Sequence, residues 1–243
     1  MKLLIDIGNT SAKIAVSSEG SIIHFERLTE AWDKAFQRLT MLYGKMDSVR
    51  IATVAGKDEA LLKALDALGT RVLWLTADVP CPVKPVFNIP KGLGADRWAA
   101  DIGALSIDAE HTLLMIDAGT CITYDMIGRD GNFLGGVISP GVQLRLDAMH
   151  EHTALLPQLE ATTEADMMGH DTRTAMLSAA VNGARLEMEG YIRHLLKDYP
   201  DLHVFITGGN TFAFSPDITC TITYDPYLVF RGLEAIKEEM SFE

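Results

Sequence analysis

The sequence predicts an α/β protein made of two similar halves with a cleft between them. Two segments support this prediction, because each combines an apolar strand ending in Asp, a Gly turn, a hydroxyl residue and a second strand. They are LLIDIGNTSAKIAV at the start of the chain and LLMIDAGTCITYDM near its middle. A repeat with so long a period indicates two duplicated domains, not a solenoid. We expect these domains at residues 1–110 and 111–243.

The first half alternates short apolar runs with segments of helical spacing. Three strands are predicted first, with Gly–Asn and Glu–Gly turns between them. They cover residues 2–7, 11–17 and 21–27. A helix over 30–43, a strand over 49–54, a helix over 58–68 and a strand over 72–75 follow. After a loop with four prolines, we expect a helix to begin near 94–96 and to bury Trp98, Ile102 and Leu105.

The second half repeats this order. Its three strands are predicted at residues 112–117, 120–127 and 132–138. Helices over roughly 142–150 and 172–197 come next, then a strand at 203–207, a β-like run at 218–223 and a closing helix from about 226 to 239. Each half therefore predicts a sheet that mixes an antiparallel hairpin with later strands joined through helices.

The composition is that of a globular chain and excludes several classes of function. Of the 243 residues, 48% are hydrophobic, and the formal net charge is −12. A field of this sign repels a phosphate backbone, so nucleic acid is not an expected partner. Three widely spaced cysteines without a CxxC pair suit a reducing compartment. Asp6 and Lys13 interrupt the apolar N-terminus and no run approaches a spanning helix, so we expect a soluble cytoplasmic protein without a membrane partner.

The segment from Asp6 to Thr10, with Lys13, predicts a phosphate site. A strand that ends in a carboxylate before a tight Gly turn presents several backbone N–H groups to one point. Asp6 can hold Mg²⁺ through water, because this ion keeps part of its hydration shell. A plain hairpin, whose Gly–Asn turn needs positive φ, would explain one copy of the pattern. The second copy at Asp117–Thr120 favours a nucleotide site, and the absence of a P-loop motif excludes a Walker-type kinase.

Asp96 and Arg97 are candidates for substrate chemistry. Asp96 offers a base for a hydroxyl group, and Arg97 can grip a carboxylate in bidentate fashion. The alternative for Asp96 is a simple helix cap. The segments GGVISPG (135–141) and TGGN (207–210) let backbone approach a ligand or merely connect strand to helix. His150 and His152 have no evident third metal ligand, which favours a solvated surface patch.

Taken together and in order, these segments resemble the type III pantothenate kinases of bacteria. That family belongs to the superfamily of acetate and sugar kinases, heat-shock chaperones and actin. The resemblance spans essentially the whole chain and implies two ribonuclease H-like domains around an interdomain cleft, the actin-like ATPase fold. The segments that carry it are DIGNTSAK (6–13), GADRW (94–98), DAGTCIT (117–123), GGVISPG (135–141), TRTAM (172–176) and TGGN (207–210).

The resemblance implies ATP-dependent phosphorylation of pantothenate, the first step of coenzyme A synthesis. Asp96 would be the catalytic base, Asp117 would hold a monovalent cation (K⁺ or NH₄⁺), and Thr120 would contact ATP. Thr172 would reach into the neighbouring subunit of a homodimer. The implied ATP phosphate site comprises Asp6, Ile7, Gly8, Asn9, Thr10, Ser11, Ala12 and Lys13. The implied pantothenate site comprises Phe87, Gly94, Ala95, Asp96, Arg97 and Thr172.

Some positions depart from the family pattern, and other functions compete. Phe87 stands where the family often has Tyr, so a hydrogen bond from that position is lost. The residues near His152 lack the arginines expected before TALLP and receive no role. One alternative is a kinase for another small hydroxyl substrate. Others are a non-catalytic regulator related to Bvg accessory factor, or an ATPase that drives a protein partner.

Overall fold

Two five-stranded sheets organise the protein. The computed structural model of the chain describes residues 1–56, 58–76, 78–84, 90, 92–210 and 212–237. Within them the chain forms two compact units. The first contains Met1–Ala109, Asp130–Phe133 and the closing segment that begins at Tyr227. The second contains Glu110–Arg129 and Leu134–Pro226.

The first part of the chain follows the predicted order of elements. It forms β1 (Lys2–Ile7), β2 (Ala12–Ser18), β3 (Ser21–Arg27), α1 (Trp32–Tyr43), β4 (Ser48–Thr53), α2 (Glu59–Leu68), β5 (Arg71–Trp74) and α3 (Ala95–Ile107). The β2–β3 turn has positive φ at both Glu19 and Gly20. This backbone matches the right-handed twist of a tight hairpin.

The remaining elements repeat the pattern and then add a closing helix. They are β6 (Leu113–Ala118), β7 (Cys121–Ile127), β8 (Phe133–Pro140), α4 (Val142–Glu151), α5 (Thr172–Leu195), β9 (His203–Gly208), β10 (Thr221–Tyr224) and α6 (Leu228–Ala235). The prediction is least accurate at β10, expected over 218–223. Pairing with β9 begins only at Thr221, opposite His203, because a turn in which the Ile218 amide donates to the Ser215 carbonyl precedes it.

Both sheets have the same strand arrangement. Their orders are β3-β2-β1-β4-β5 and β10-β9-β6-β7-β8. In the first, β1 is antiparallel to β2 and parallel to β4; in the second, β6 is antiparallel to β7 and parallel to β9. The predicted α/β class with mixed sheets is confirmed. Since parallel strands end at the same edge, the turn after β1 lies beside the end of β4, and the turn after β6 lies beside the end of β9.

The closing helix α6 packs within the first unit, against α3, β1 and β4. The helices α3 and α6 approach so closely that glycine is required on both. A Cβ on Gly103 would overlap the carbonyl oxygen of Leu228, and one on Gly232 would overlap that of Ala99. The predicted boundary near residue 110 stays a prediction, and the compact units divide the chain differently at this helix.

Each unit has its own apolar core. In the first, β1, β2 and β4 bury Leu3, Ile5, Ile14, Val16 and Ile51 beneath α1 and α2. In the second, β6, β7 and β9 pack against α4 and α5. No helix in the described part of the chain combines the length and apolar character that a bilayer crossing would need.

Gly103→Ala is expected to lower stability by about 1–3 kcal/mol, the usual cost of overpacking a core. The added methyl group meets rigid backbone of α6, so the helices have to separate. Thermal unfolding measures the change. Gly190→Ala on α5 is the matched control, because nothing lies within 4 Å of its Cβ position. There alanine should be neutral or stabilising, since mid-helix glycine costs about 0.5–1 kcal/mol. Equal effects at both positions would contradict the close α3–α6 approach.

Candidate active site

The β1–β2 hairpin places Asp6 opposite Lys13 in the strand register. Their side chains interact, with Lys13 Nζ 3.4 Å from Asp6 Oδ2, and Asp6 is only 6% exposed. The hairpin loop is closed by the Gly8 amide, which donates to the Ser11 carbonyl at 3.1 Å. Neither Gly8 nor Asn9 has positive φ. The alternative of a plain Gly–Asn turn of that kind is therefore wrong, and the loop is wider, with Asn9 and Thr10 exposed.

Asp6 lies in an environment that resists its charge. Burial raises the pKa of Asp6; Lys13 lowers it, the nearby Asp96 carboxylate raises it again, and the net result is above the ordinary value of 3.8. Two carboxylates and an ammonium group thus lie near one another at the carboxyl edge of the first sheet. The two carboxylates offer oxygen atoms as metal ligands, and oxygen ligands suit a hard, hydrated divalent cation. Such an ion would also relieve the unfavourable charge on Asp6.

Asp96 occupies the first turn of α3. The N-cap residue is Gly94, which makes no side-chain cap bond, and Asp96 is the acidic residue of the first turn, so its role as a simple helix cap stays an alternative. Asp96 Oδ1 accepts from the Arg97 amide at 2.7 Å. A Cβ on Gly94 would lie 2.6 Å from Asp96 Oδ1 and 3.4 Å from Val54 Cγ1. Glycine at 94 therefore leaves room for the carboxylate beside the end of β4.

Trp98 fixes α3 in place. Its ring is fully buried, and its indole Nε1 donates to the Val79 carbonyl at 2.9 Å. The prediction that Trp98 is a core residue is confirmed. Because the start of α3 carries Asp96 and Arg97, this anchor also holds the two polar side chains in position.

The second unit forms a matching site at the end of β6. Gly208 has a φ of +98°, and a Cβ there would lie 2.5 Å from Asp117 Oδ1 and 2.6 Å from the Ala118 carbonyl carbon. A Cβ on Gly119 would lie 3.2 Å from the same carboxylate oxygen. The Asp117 carboxylate is thus enclosed by glycine backbone from both turns, and larger residues would displace it.

Asn210 joins these two turns, and sequence reasoning gave it no role. Its side-chain Nδ2 and its backbone amide both donate to the Ala118 carbonyl, at 2.8 and 3.1 Å. The only sequence signal was its place after the Gly–Gly turn. Gly141 approaches from the other side, since its amide donates to the Thr120 carbonyl at 2.9 Å and a Cβ would overlap the Gly119 carbonyl. The GGVISPG segment therefore supports the Asp117–Thr120 turn.

The other predicted residues are placed as follows. Thr172 is exposed as the first residue of α5, behind a capping box formed by Asp171 and Thr174. His150 Nδ1 lies 2.7 Å from the Leu156 carbonyl, and His152 is exposed after α4. Among the described residues no group of three or more side chains could hold a metal ion by itself. Phe87 lies outside the described residues.

Asp6→Asn is expected to stabilise the ligand-free protein near neutral pH. Because the folded-state pKa of Asp6 is raised, ionising it costs stability as pH rises from about 3.8 through the folded value. Asn mimics the protonated form and removes that cost. Unfolding by denaturant from about pH 4 to pH 8 should show a variant advantage that grows with pH. Asp66→Asn on the exposed face of α2 is the control; a variant less stable at neutral pH would mean that the Lys13 contact outweighs burial.

Comparisons with known proteins show a similar fold and identify a family. Solved structures with a similar fold include a Campylobacter jejuni protein named for the Baf family of transcriptional activators, 23% identical with a TM-score of 0.58 over 98% of both chains. MreB5 of Spiroplasma citri bound to ADP has a TM-score of 0.55 at 12% identity, over 98% of this chain and 96% of its own. These two similarities concern the fold alone, and they confirm the actin-like ATPase architecture.

Sequence comparison identifies the family. A type III pantothenate kinase from Phocaeicola vulgatus is 38% identical over 238 residues, which cover 97% of each chain. The family model of type III pantothenate kinase matches residues 2–194, a range that includes both hairpins, α3 and most of α5. The matched range therefore contains Asp6, Asp96 and Asp117 on their observed turns. The chain belongs to the type III pantothenate kinase family.

Proposed function

We propose that Asp96 is the general base in ATP-dependent phosphorylation of pantothenate by this protein. The family's reaction makes 4′-phosphopantothenate, the first step of coenzyme A biosynthesis, and a kinase of this kind uses ATP with a divalent cation. The observation that supports the assignment is that Asp96 is near enough to Asp6, the partner of Lys13, for its charge to raise the pKa of Asp6. A base beside a phosphate-binding turn is the arrangement that in-line phosphoryl transfer requires.

The β1–β2 loop is proposed to bind the ATP phosphates. Backbone amides of the Ile7–Ala12 segment other than that of Gly8, which is bonded to Ser11, would supply donors together with the Thr10 hydroxyl, and Lys13 supplies positive charge. Asp6 would hold Mg²⁺ through water, and the bound ion neutralises charge on the phosphates. By the family resemblance, Thr120 is a further ATP contact.

The start of α3 is proposed to bind pantothenate. Arg97 pairs with the substrate carboxylate, and Gly94 and Ala95 let the substrate approach the backbone. Phe87 completes this site by family resemblance. Asp96 then accepts the proton of the primary hydroxyl as its oxygen attacks the γ-phosphorus of ATP. The protein contributes position and charge, and no covalent intermediate on the chain is needed.

Asp96→Asn is expected to lower kcat by about 10²-fold or more, because a positioned base contributes about 10²–10⁴-fold. The measurement couples ADP release to pantothenate addition with Mg²⁺ and K⁺ present. Asp33→Asn is the matched control, since Asp33 is also an aspartate in the first turn of a helix, α1. It loses the same helix-dipole interaction without touching the proposed site.

Three results would contradict the assignment. Near-wild-type kcat in Asp96→Asn would remove Asp96 from the role of base. ADP release that does not depend on pantothenate would favour another acceptor, and ATP binding without turnover would favour the regulator related to Bvg accessory factor.

Asp117 is proposed to hold the monovalent cation, K⁺ or NH₄⁺. The carboxylate oxygen enclosed by Gly119 and Gly208 is a hard oxygen donor next to the Thr120 turn. Asp117→Asn should therefore weaken activation by K⁺, with a half-saturating concentration raised about tenfold or more. Activity measured across a K⁺ series at fixed Mg²⁺, with ionic strength held by a large organic cation, tests this. An unchanged K⁺ dependence would exclude Asp117 as the ligand.

A homodimer and a cytoplasmic location complete the proposal. Thr172 is exposed at the start of α5, as a residue that reaches a neighbouring subunit must be, and Ala175 and Ala179 on the same helix are also exposed. Small exposed residues permit close helix contact between subunits. Sedimentation that finds only monomer at micromolar concentration would exclude this part. The cytoplasm is proposed because the reaction draws on intracellular ATP.

A further inference from the structure

The carboxylate of Glu187 on α5 collects donors from three other elements. Tyr124 on β7 donates its hydroxyl to Oε1 at 2.9 Å. Ser139 on β8 donates to Oε2 at 3.0 Å, and Arg145 on α4 donates Nη2 to the same oxygen at 2.6 Å. The ion pair is partly screened, with Arg145 20% and Glu187 26% exposed. One carboxylate therefore ties two neighbouring strands of the second sheet, β7 and β8, to α4 and α5.

Arg145 extends this cluster to the junction between β8 and α4. Its Nε donates to the Pro140 carbonyl at 2.8 Å, while Nη2 also contacts Ser139 Oγ at 3.1 Å. The backbone amide of Arg145 donates to the Gly141 carbonyl at 3.0 Å. The planar guanidinium thus holds the Pro140 carbonyl on one side while it pairs with Glu187 on the other. A lysine ammonium group lacks this fork of donors.

Gly141 couples the position of the β8–α4 junction to that of the Thr120 turn. Its amide donates to the Thr120 carbonyl at 2.9 Å, and the two backbones are so close that any Cβ at 141 would overlap the Gly119 carbonyl. A shift of the Pro140–Gly141 junction therefore has to move the turn. The contacts form one continuous path from Glu187 through Arg145 and Gly141 to Thr120, all within the second unit.

The cluster is charged under ordinary conditions. Burial opposes ionisation of Glu187, but hydrogen bonds from Arg145, Ser139 and Tyr124 outweigh it and lower the pKa of this carboxyl. Burial and the Glu187 carboxylate raise the pKa of the Tyr124 hydroxyl, which stays protonated and donates. Every donor around Glu187 therefore faces an ionised acceptor, the condition under which such bonds are strongest.

We propose that the Arg145–Glu187 pair positions the Thr120 turn for nucleotide binding. Neither side chain touches the reacting atoms; both are positioning residues that act through the Pro140–Gly141 junction. The proposal rests on the proposed role of Thr120 as an ATP contact. Arg145 and Glu187 would then affect the affinity for ATP although both lie outside the turns proposed to bind the nucleotide.

The test compares Arg145→Lys, Glu187→Gln and the double variant in steady-state kinetics. Arg145→Lys keeps the charge but cannot reach Glu187 and the Pro140 carbonyl together. We expect KM for ATP to rise by roughly 5- to 50-fold, since small misplacements of an orienting group cost up to about 10²-fold. KM for pantothenate should stay within about twofold. Most of the proposed pantothenate residues lie in the first half of the chain, and Thr172 lies at the start of α5, several turns before Glu187. The double variant should resemble the worse single variant, because both side chains act on one path.

Arg38→Lys is the matched control. Arg38 uses the same fork, with Nε on Glu30 at 2.9 Å and Nη2 on Glu26 at 2.5 Å, but it lies on α1 of the first unit. Its substitution should leave both KM values unchanged. If Glu187→Gln does not fold, Arg145→Lys alone still decides the question, because it retains the charge and most of the side chain.

Thr120→Ala, measured in parallel, separates the two levels of the proposal. A raised KM for ATP in Thr120→Ala and in both Arg145→Lys and Glu187→Gln supports the positioning role. A raised KM in Thr120→Ala alone would overturn the positioning role and leave the ATP contact intact. An unchanged KM for ATP in Thr120→Ala would overturn both. If Arg145→Lys and Glu187→Gln lose ATP affinity, pantothenate affinity and thermal stability together, the pair has only a structural role, and the positioning proposal is overturned.

Discussion

Parallel pairing of β1 with β4, and of β6 with β9, is the constraint on which the rest of the structure depends. It brings two chain reversals to one edge of each sheet, where their backbone groups no longer pair with neighbouring strands. Polar groups at that edge have to find other partners. In the first unit they close the Gly8–Ser11 loop; in the second they meet the amide group of Asn210. The chemistry of both sites follows from this shared geometry.

The glycines at these edges are needed because they have no side chain, but the reason differs between positions. Gly208 takes a backbone that other residues rarely adopt, whereas Gly94 and Gly141 have ordinary dihedral angles and are small because a carboxylate or a carbonyl lies against them. In each case the space is taken by an oxygen atom. The architecture thus places oxygen atoms at close range, and the carboxylates of Asp96 and Asp117 lie directly against glycine backbone.

Local patterns made most of the fold predictable, and they also pointed to the carboxylates proposed for each site. The hairpins could be predicted because apolar runs with a period of two residues flank Gly turns. The carboxylates of Asp6 and Asp117 could be predicted as site residues because each lies at the end of such a run. Nothing local distinguishes Glu187 from a solvated glutamate on α5, since its partner Arg145 lies 42 residues earlier. The packing of α6 against α3, β1 and β4 could not be predicted either, because these elements are distant in sequence. The sequence of an amphipathic helix shows which face is apolar but not which surface that face packs against. The width of the Gly8–Ser11 loop could not be predicted, because a Gly–Asn pair is compatible with several sets of backbone dihedral angles.

The place of α6 has a consequence for the order in which the protein folds during synthesis. All the residues of the second unit precede Tyr227, so its sheet and core can form without α6. The first unit contains the earliest residues, yet the face formed by α3, β1 and β4 stays uncovered until α6 emerges. The half that is made first is therefore finished last, and its apolar face has to be kept from other chains in the interval.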